Sequence, residues 1–270
     1  MQVLDPSLPL LEVKNLSKTF ASTTSLFNLG SFQAVKNISF SLDKRKTLAI
    51  IGKNGSGKST IAKMVVGIMR PNDGAIFFRG KPLYYGDYHF RAKHIRMVFQ
   101  DPNSAFNPRL NVGQILDTPL KIRGGFSLEE RDEKIANVLR LVGLYPDHAN
   151  ISIRTMSVSQ KQRIALARAL ILEPEIVIID DALASLDATV KIQMMNLLLR
   201  IQRQLNISYI YIGQHLGIIK HIADDVLVMD NGKMIEYGDT KTVFTYPKSD
   251  ITKRLVESNF GHLLTEESWY

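Results

Sequence analysis

The chain has 270 residues, about 1.8 times a typical domain of ~150 residues, which predicts one large α/β domain or a domain with an inserted subdomain. Hydrophobic residues at 45% and charged residues at 22% exclude a disordered chain, and the absence of cysteine excludes disulfides, Cys-ligated metals and a thiol nucleophile. The 34 Lys and Arg against 26 Asp and Glu give a net charge of +8. Because residues 241–270 hold as many basic as acidic side chains, we interpret this excess as a solubilising surface rather than a nucleic-acid groove.

The first hundred residues predict short strands separated by Gly and Pro turn signals. The predicted strands are Leu10 to Val13, Ile38 to Leu42, Thr47 to Ile51 and Ala75 to Phe78. Between Phe20 and Ala34, the Ser/Thr-rich sequence ASTTSLFNLGSFQ predicts a loop. The amino terminus lacks the basic flank of a secretory signal, and no apolar run reaches the ~18 residues of a membrane span, so we expect neither feature.

The middle of the chain changes to a helical pattern. From Val112 to Leu144 apolar residues recur at three- and four-residue spacings, which predicts an inserted helical lobe. The elements predicted after it are a helix ending near Leu172, a buried strand from Ile176 to Ile179, a helix through Asn196 to Arg203, and a strand from Ser208 to Ile212. Strands that alternate with helices predict a parallel sheet.

A glycine-rich sequence follows the strand that ends at Ile51 and fits Gly-x-x-x-x-Gly-Lys-[Ser/Thr], with an apolar-periodic helix after it. Its residues are Gly52, Lys53, Asn54, Gly55, Ser56, Gly57, Lys58, Ser59 and Thr60. Glycines let the backbone wrap around a polyphosphate and point its N–H groups at the oxygens. We expect Lys58 to meet the β- and γ-phosphates and the Ser59 hydroxyl to ligate Mg²⁺. The alternative, a chance glycine-rich turn, is disfavoured by the strand and helix on either side.

Two carboxylates follow the buried strand that ends at Ile179. Asp180 and Asp181 therefore lie at the carboxyl end of a predicted strand, where α/β sheets bind ligands. Asp180 is placed to hold Mg²⁺, directly or through water, and Asp181 to orient or deprotonate an attacking water. The alternative is a strand end capped by solvated acids, which the phosphate loop upstream makes the weaker interpretation.

Further motifs stand between and after these two. In chain order they are Gln100, then Met156, Ser157, Val158, Ser159 and Gln160 with the following KQRIALARAL, then Ala184 to Asp187, and His215. With the phosphate loop and the acidic pair, this order resembles the nucleotide-binding subunit of ATP-binding-cassette (ABC) transporters over nearly the whole chain. The segments FQDP from Phe99 and NPR from Asn107 are similar to the oligopeptide and dipeptide importer branch of that family.

The resemblance implies an α/β P-loop NTPase fold, the ABC nucleotide-binding domain, with an antiparallel β subdomain and an inserted helical subdomain. The implied boundaries are a single ABC domain at 8–260, with a nucleotide-binding core at 8–102 and 170–240, a helical subdomain carrying the signature motif at 103–169, and a C-terminal extension at 241–270. The implied activity is ATP hydrolysis coupled to transport. Its cofactors would be ATP and Mg²⁺, with Ser59, Gln100 and Asp180 as metal ligands.

Single residues also take roles by resemblance. Gln100 would join Mg²⁺ or the attacking water to the interface with the membrane subunit, and His215 would be the switch histidine near the γ-phosphate. Asp181 would be the catalytic carboxylate, and Asp187 would contact the opposing subunit. Residues 156–160 would be the signature that meets the ATP held by that subunit.

An aromatic residue before the phosphate loop would stack on adenine. Phe20 is the candidate for this role. Phe27 and Phe32 lie in the same part of the chain and are the alternatives.

Three departures from the family pattern affect the expected rate of ATP hydrolysis. Val158 and Ser159 replace the two glycines of the usual signature, and a β-branched Val restricts the backbone where close approach to phosphate is wanted. Asp181 replaces the usual glutamate, which is one methylene longer, and a misplacement of ~1 Å can cost ~100-fold in rate. Gln214 and Leu216 replace the common small hydroxyl and acidic neighbours of the switch histidine. The sequence therefore predicts ATP binding with slow or asymmetric hydrolysis.

The partners implied by the resemblance are a second ABC ATPase subunit, two transmembrane permease subunits and, indirectly, a periplasmic substrate-binding protein. The implied location is the cytoplasmic face of the bacterial inner membrane. Each ATP site of such a dimer would combine the phosphate loop of one subunit with the signature of the other. A heterodimer is favoured, because Asp181 and the Val158-Ser159 signature then fall in different sites if the partner carries the usual motifs. A regulatory subunit with little hydrolysis and a soluble ABC ATPase outside transport stay as alternatives, and no nucleic acid is expected as a partner.

Overall fold

The computed structural model of the chain describes residues 8–25, 28–101, 105–184 and 186–269. The chain divides into two compact units. The first unit comprises residues 1–91 and 208–270, and the second comprises residues 92–207. The domain boundaries implied by the family resemblance stay a prediction.

Strands and helices alternate along much of the chain. The strands are β1 (Leu11–Ser25), β2 (Asn28–Leu42), β3 (Thr47–Gly52), β4 (Asp73–Phe78), β5 (Lys81–Pro82), β6 (Ile95–Val98), β7 (Ile176–Asp180), β8 (Ser208–Ile212), β9 (Asp225–Asp230) and β10 (Lys233–Asp239). The α-helices are α1 (Lys58–Val66), α2 (Tyr88–His94), α3 (Val112–Arg123), α4 (Leu128–Leu141), α5 (Val158–Leu170), α6 (Ala188–Leu205), α7 (Leu216–Ile222), α8 (Thr240–Thr245) and α9 (Asp250–Phe260). Short 3₁₀ helices cover Pro146–Asn150, Ile153–Thr155 and Glu266–Trp269.

An antiparallel sheet in the first unit has the strand order β2-β1-β4-β5. Its apolar residues alternate along the strands and are buried on one face, as the period of a half-buried strand requires. The buried members include Leu11, Val13, Leu16, Ile38, Phe40, Ile76 and Phe78. The implied antiparallel β subdomain is therefore present.

The prediction of a loop between Phe20 and Ala34 is wrong, because residues 21–25 and 28–33 belong to the paired strands β1 and β2. Phe20 pairs with Phe32, and the register continues outward to Ser25 opposite Asn28. The backbone hydrogen bonds of an antiparallel pair do not depend on side-chain polarity, and threonine favours strands. A Ser/Thr-rich composition therefore does not prevent strand pairing. Phe27, one of the alternatives to Phe20 for stacking on adenine, lies outside the described residues.

Parallel strands form the centre of the first unit. β3 lies between β8 and β9, parallel to both, and β10 pairs antiparallel with β9. All six residues of β3 are buried, as expected for a strand covered on both faces. In the second unit β6 pairs parallel with β7, with Val98 opposite Ile179. The prediction of parallel strands is confirmed.

The second unit contains the predicted helical lobe, now resolved into α3 and α4. Each helix begins with a capping box, formed by Asn111 with Gln114 and by Ser127 with Glu130. Arg131 of α4 donates to Asp117 of α3 at 2.9 Å, which ties the two helices together. Among the described residues, no helix is both long and apolar enough to cross a membrane.

Candidate nucleotide site

The phosphate loop joins β3 to α1 in the first unit. Gly52 ends the strand at φ 142°, and Gly57 precedes the helix at φ 103°; both lie in the left-handed region that side chains other than glycine rarely adopt. A Cβ at Gly57 would lie 2.2 Å from the Ala34 carbonyl oxygen, and one at Gly52 would lie 2.1 Å from that of Met229. The loop thus passes too close to β2 and β9 to admit any side chain at these two positions.

We expect Gly57→Ala to lower the melting temperature and weaken ATP binding, because the new methyl must displace the Ala34 carbonyl and hold a strained φ. Gly55→Ala is the matched control, since Gly55 also has a positive φ, of 78°, but nothing lies within 4 Å of its Cβ position. Left-handed strain alone costs about 1–2 kcal/mol. Thermal unfolding of both variants checks the prediction, and equal losses would contradict it.

Lys58 lies inside the loop and not on an exposed surface. Its side chain is buried, and its Nζ donates to the carbonyl oxygens of Gly52 and Lys53 at 2.8 Å each. An ammonium group has three donors and no acceptor, so the loop carbonyls hold the positive charge at the centre of the turn. The backbone therefore positions the ammonium group that the motif assigns to the phosphates.

The turn between β8 and α7 lies beside the phosphate loop. Gln214 Nε2 donates to Asn54 Oδ1 at 2.6 Å, and the next residue, His215, is the N-cap of α7. The segment that contains His215, the predicted switch histidine, therefore lies next to the phosphate loop. In the sequence Gln214 is only a departure from the family pattern, and no local signal indicates its contact with Asn54.

Phe20, the predicted adenine-stacking residue, lies on β1 with an intermediate exposure. The Lys18 ammonium is 5.5 Å from the centre of its ring, a cation–π distance. Phe32, directly opposite on β2, is 53% exposed. The assignment of Phe20 to adenine stays a prediction.

The acidic pair ends β7 in the second unit. Asp180 is buried, at 6% exposed, whereas Asp181 follows it with φ 47°. Gln100, two residues after the end of β6, donates from Nε2 to Asp181 Oδ2 at 3.3 Å. The parallel pairing of β6 and β7 ends both strands at the same edge, which brings these predicted site residues together.

Arg168 supports the segment that follows Gln100. From α5 its Nη1 donates to the Ala105 carbonyl at 2.7 Å, and its guanidinium carbon lies 4.8 Å from the centre of the Phe106 ring. Burial lowers the pKa of the Arg168 guanidinium, and the nearby charge of Arg96 lowers that pKa further. No local pattern in the sequence distinguishes Arg168 from other basic residues of a helix.

The predicted signature begins α5. Ser157 is the N-cap and forms a capping box with Gln160, while Met156 before it is buried. Val158 and Ser159 are the first two helical residues, and the Val158 side chain is 42% exposed. The start of a helix presents backbone N–H groups and a positive dipole, so this segment keeps the features that favour an anion despite its two substitutions.

Asp187 is the N-cap of α6, with its Oδ1 accepting from the Val190 N–H at 3.0 Å. This contact gives the carboxylate a structural role within its own chain. Its contact with an opposing subunit stays a prediction. Ser185, two residues before it, lies outside the described residues.

A strand, a glycine-rich turn with an enclosed lysine, and a following helix define a P-loop nucleotide-binding protein. The family described as ABC transporter matches residues 35–184, more than half of the chain, and the chain belongs to that family. It is an ABC-type ATPase, and the predicted P-loop NTPase fold with its antiparallel sheet and helical part is confirmed.

Relatives extend the likeness over almost the full length. The peptide transport system ATP-binding protein SapF of Salmonella typhimurium is 49% identical over 260 residues, covering 96% of this chain and 97% of the relative. The putrescine export system ATP-binding protein SapF of Escherichia coli is 48% identical with the same coverage. The structure of cbiO1 from Clostridium perfringens, part of the ABC transporter complex cbiONQ, has a TM-score of 0.76 at 27% identity and covers 94% of this chain and 96% of its own.

Within the importer branch, DALASLD at residues 181–187 and IGQHLGIIKHIADDVLVM at 212–229 predict a SapF-like subunit, as does the closing stretch from Leu255. The two relatives named SapF confirm that likeness.

Proposed function

We propose that this chain binds and hydrolyses ATP to energise a membrane transporter of peptides, of the Sap type that takes up antimicrobial peptides. The observation that carries the proposal is the phosphate loop, in which backbone carbonyls hold the Lys58 ammonium at the centre of the turn. The relative from Salmonella typhimurium, named as a peptide transport protein, supports the substrate class.

ATP and Mg²⁺ are the proposed cofactors. Residues 52–60 would surround the phosphates, with Mg²⁺ held by Ser59, Asp180 and Gln100. A hydroxyl, a carboxylate and an amide oxygen are hard donors that suit Mg²⁺, which usually takes only one or two carboxylates together with phosphate and water. When bound, the ion would neutralise charge on the phosphates.

Asp181 is the proposed general base, and Gln100 orients it. The amide N–H of Gln100 donates to one carboxylate oxygen, which restricts rotation of the side chain. The carboxylate would accept the proton of the attacking water, while His215 would lie at the γ-phosphate. A general base of this kind contributes about 10²- to 10⁴-fold to the rate.

The experiment that tests this function is a steady-state ATPase measurement on the full-length chain, with and without its co-purifying membrane and ATPase subunits. Turnover that depends on those subunits is expected. A regulatory subunit with little hydrolysis is the second candidate, favoured by Val158, Ser159 and Asp181, and it predicts ATP binding without turnover in either preparation. Nucleic-acid-stimulated turnover would instead favour a soluble ABC ATPase.

The identity of the transported molecule needs a separate experiment, because this subunit would not contact that molecule. One relative's name specifies peptide transport and another's specifies putrescine export. Uptake of labelled peptide and efflux of labelled putrescine by vesicles containing the assembled transporter distinguish the two.

The proposed complex contains a second ABC ATPase subunit, two transmembrane permeases and a periplasmic binding protein at the cytoplasmic face of the inner membrane. A homodimer would place Asp181 and the Val158-Ser159 signature in both composite sites. In a heterodimer, Asp181 faces the partner's signature, and Val158 and Ser159 face the partner's ATP. Each ATP site then contains one of the two departures and not both, which favours the heterodimer.

We expect the double change Val158→Gly and Ser159→Gly to raise ATP occlusion at the site shared with the partner's phosphate loop by about tenfold. That is the effect of regaining one hydrogen bond to a charged phosphate, about 1.5 kcal/mol. The control, Val158→Ala with Ser159→Ala, removes bulk without adding glycine flexibility. Unchanged occlusion, or a stable ATP-dependent homodimer with normal turnover, would contradict the heterodimer.

A further inference from the structure

The carboxyl-terminal residues contact both ends of α7, the helix that begins directly after His215. At its start, His215 supplies no side-chain cap. Instead, the Leu216 N–H donates to Oδ1 of Asn259, on α9, at 3.4 Å. Since the first turn of a helix leaves its N–H groups without intrahelical partners, Asn259 provides one acceptor that the local sequence does not.

At the other end of α7, Lys220 is held by the last residues of the chain. Its ammonium donates to the Ser268 carbonyl and lies 5.1 Å from the centre of the Trp269 ring. A cation in the last turn also complements the helix dipole. The hydrogen bond and the cation–π contact together fix this end of the helix.

The C-terminal strap, residues 264–269, is itself anchored to α8 and the residue after it. Trp269 Nε1 donates to Thr245 Oγ1 at 3.0 Å, and its ring lies 6.5 Å from that of the buried Phe244. The Tyr246 hydroxyl donates to Glu266 at 3.2 Å, and Leu264 is buried. The strap is therefore a packed element that connects α8 to α7.

We propose that Asn259 and the C-terminal strap position α7, and through it hold His215 at the phosphate loop, so that they set the rate of hydrolysis. The inference rests on the proposed function, which places His215 at the γ-phosphate. Helix α7 spans only Leu216–Ile222, and a helix of this length depends on packing for its stability and orientation. The 2.6 Å contact of Gln214 with Asn54 then transmits that orientation to the loop.

The test compares Lys220→Met with wild type as full-length chains in the assembled transporter. We expect kcat to fall about tenfold, because a displacement of ~1 Å can cost ~100-fold, while ATP affinity stays within about twofold. Lys220→Arg keeps the charge and a donor, so it should restore most of the activity. Lys248→Met, at an exposed lysine between α8 and α9, is the matched control and should behave as wild type.

Asn259→Ala is a second, independent variant with the same expected direction, and thermal unfolding verifies that each variant is folded. Action through His215 predicts that Lys220→Met changes kcat less than about twofold in a His215→Ala background. A full further loss in that background, or equal losses of kcat and ATP affinity, would overturn the proposal. If His215→Ala itself keeps wild-type turnover, the role of His215 is wrong and the positioning role falls with it. If His215→Ala lowers kcat but the Lys220 and Asn259 variants do not, the role of His215 stands and only the positioning role of Asn259 and the C-terminal strap is wrong.

Discussion

Lys58→Ala is expected to weaken ATP binding by about 100-fold or more. The change removes hydrogen bonds from a charged donor to the phosphates, each worth about 1.5–3 kcal/mol, and tenfold in affinity corresponds to about 1.4 kcal/mol. It also removes the Lys58 ammonium from the carbonyls of Gly52 and Lys53, and the Lys53 carbonyl then keeps the Ser56 N–H at 3.2 Å. ATP titration by calorimetry measures the effect.

Because Lys58 is buried, part of the loss could come from the loop's own structure, and a control separates the two causes. Thermal unfolding without nucleotide reports on the loop and the fold alone. Lys53→Ala, which removes an exposed lysine of the same loop but not its carbonyl, should change ATP affinity much less. Unchanged binding by Lys58→Ala would refute the assignment of the phosphate loop.

Asp181→Asn is expected to slow hydrolysis by about 100-fold or more, as loss of a general base does, with MgATP affinity unchanged. Asparagine suits this test because, like aspartate, it tolerates the left-handed backbone that Asp181 adopts at φ 47°. The proposed metal ligands are Ser59, Asp180 and Gln100 and do not include Asp181, so MgATP binding should survive. Single-turnover hydrolysis together with ATP titration checks both halves of the prediction.

Asp181→Glu is the informative companion. If the shorter side chain limits the rate, the added methylene should speed turnover. The structure adds an opposing effect, since glutamate lacks the tolerance of aspartate for the left-handed region and pays about 1–2 kcal/mol there. A slower Glu variant with reduced stability would show that the backbone at this position favours aspartate.

The features that depend on local order can be predicted from the amino-acid sequence alone. The phosphate loop needs only nine consecutive residues between a strand and a helix, and the helical lobe after Val112 follows from the spacing of apolar residues. The buried strand with its two acids follows from four aliphatic residues before Asp180. Each of these patterns spans one strand or a few helical turns. Over that length, interactions between residues that are close in the sequence determine the local structure.

Which distant residues meet depends on how the chain packs. Gln100 reaches Asp181 across 81 residues, and Gln214 reaches Asn54 across 160, because parallel strands place their carboxyl ends at one edge. The burial of Lys58, the strand pairing of the Ser/Thr-rich hairpin and the left-handed backbone of Asp181 likewise went undetected in the sequence. The physical reason is that burial, strand pairing and backbone strain are set by neighbours that packing supplies, and these neighbours are far away along the chain.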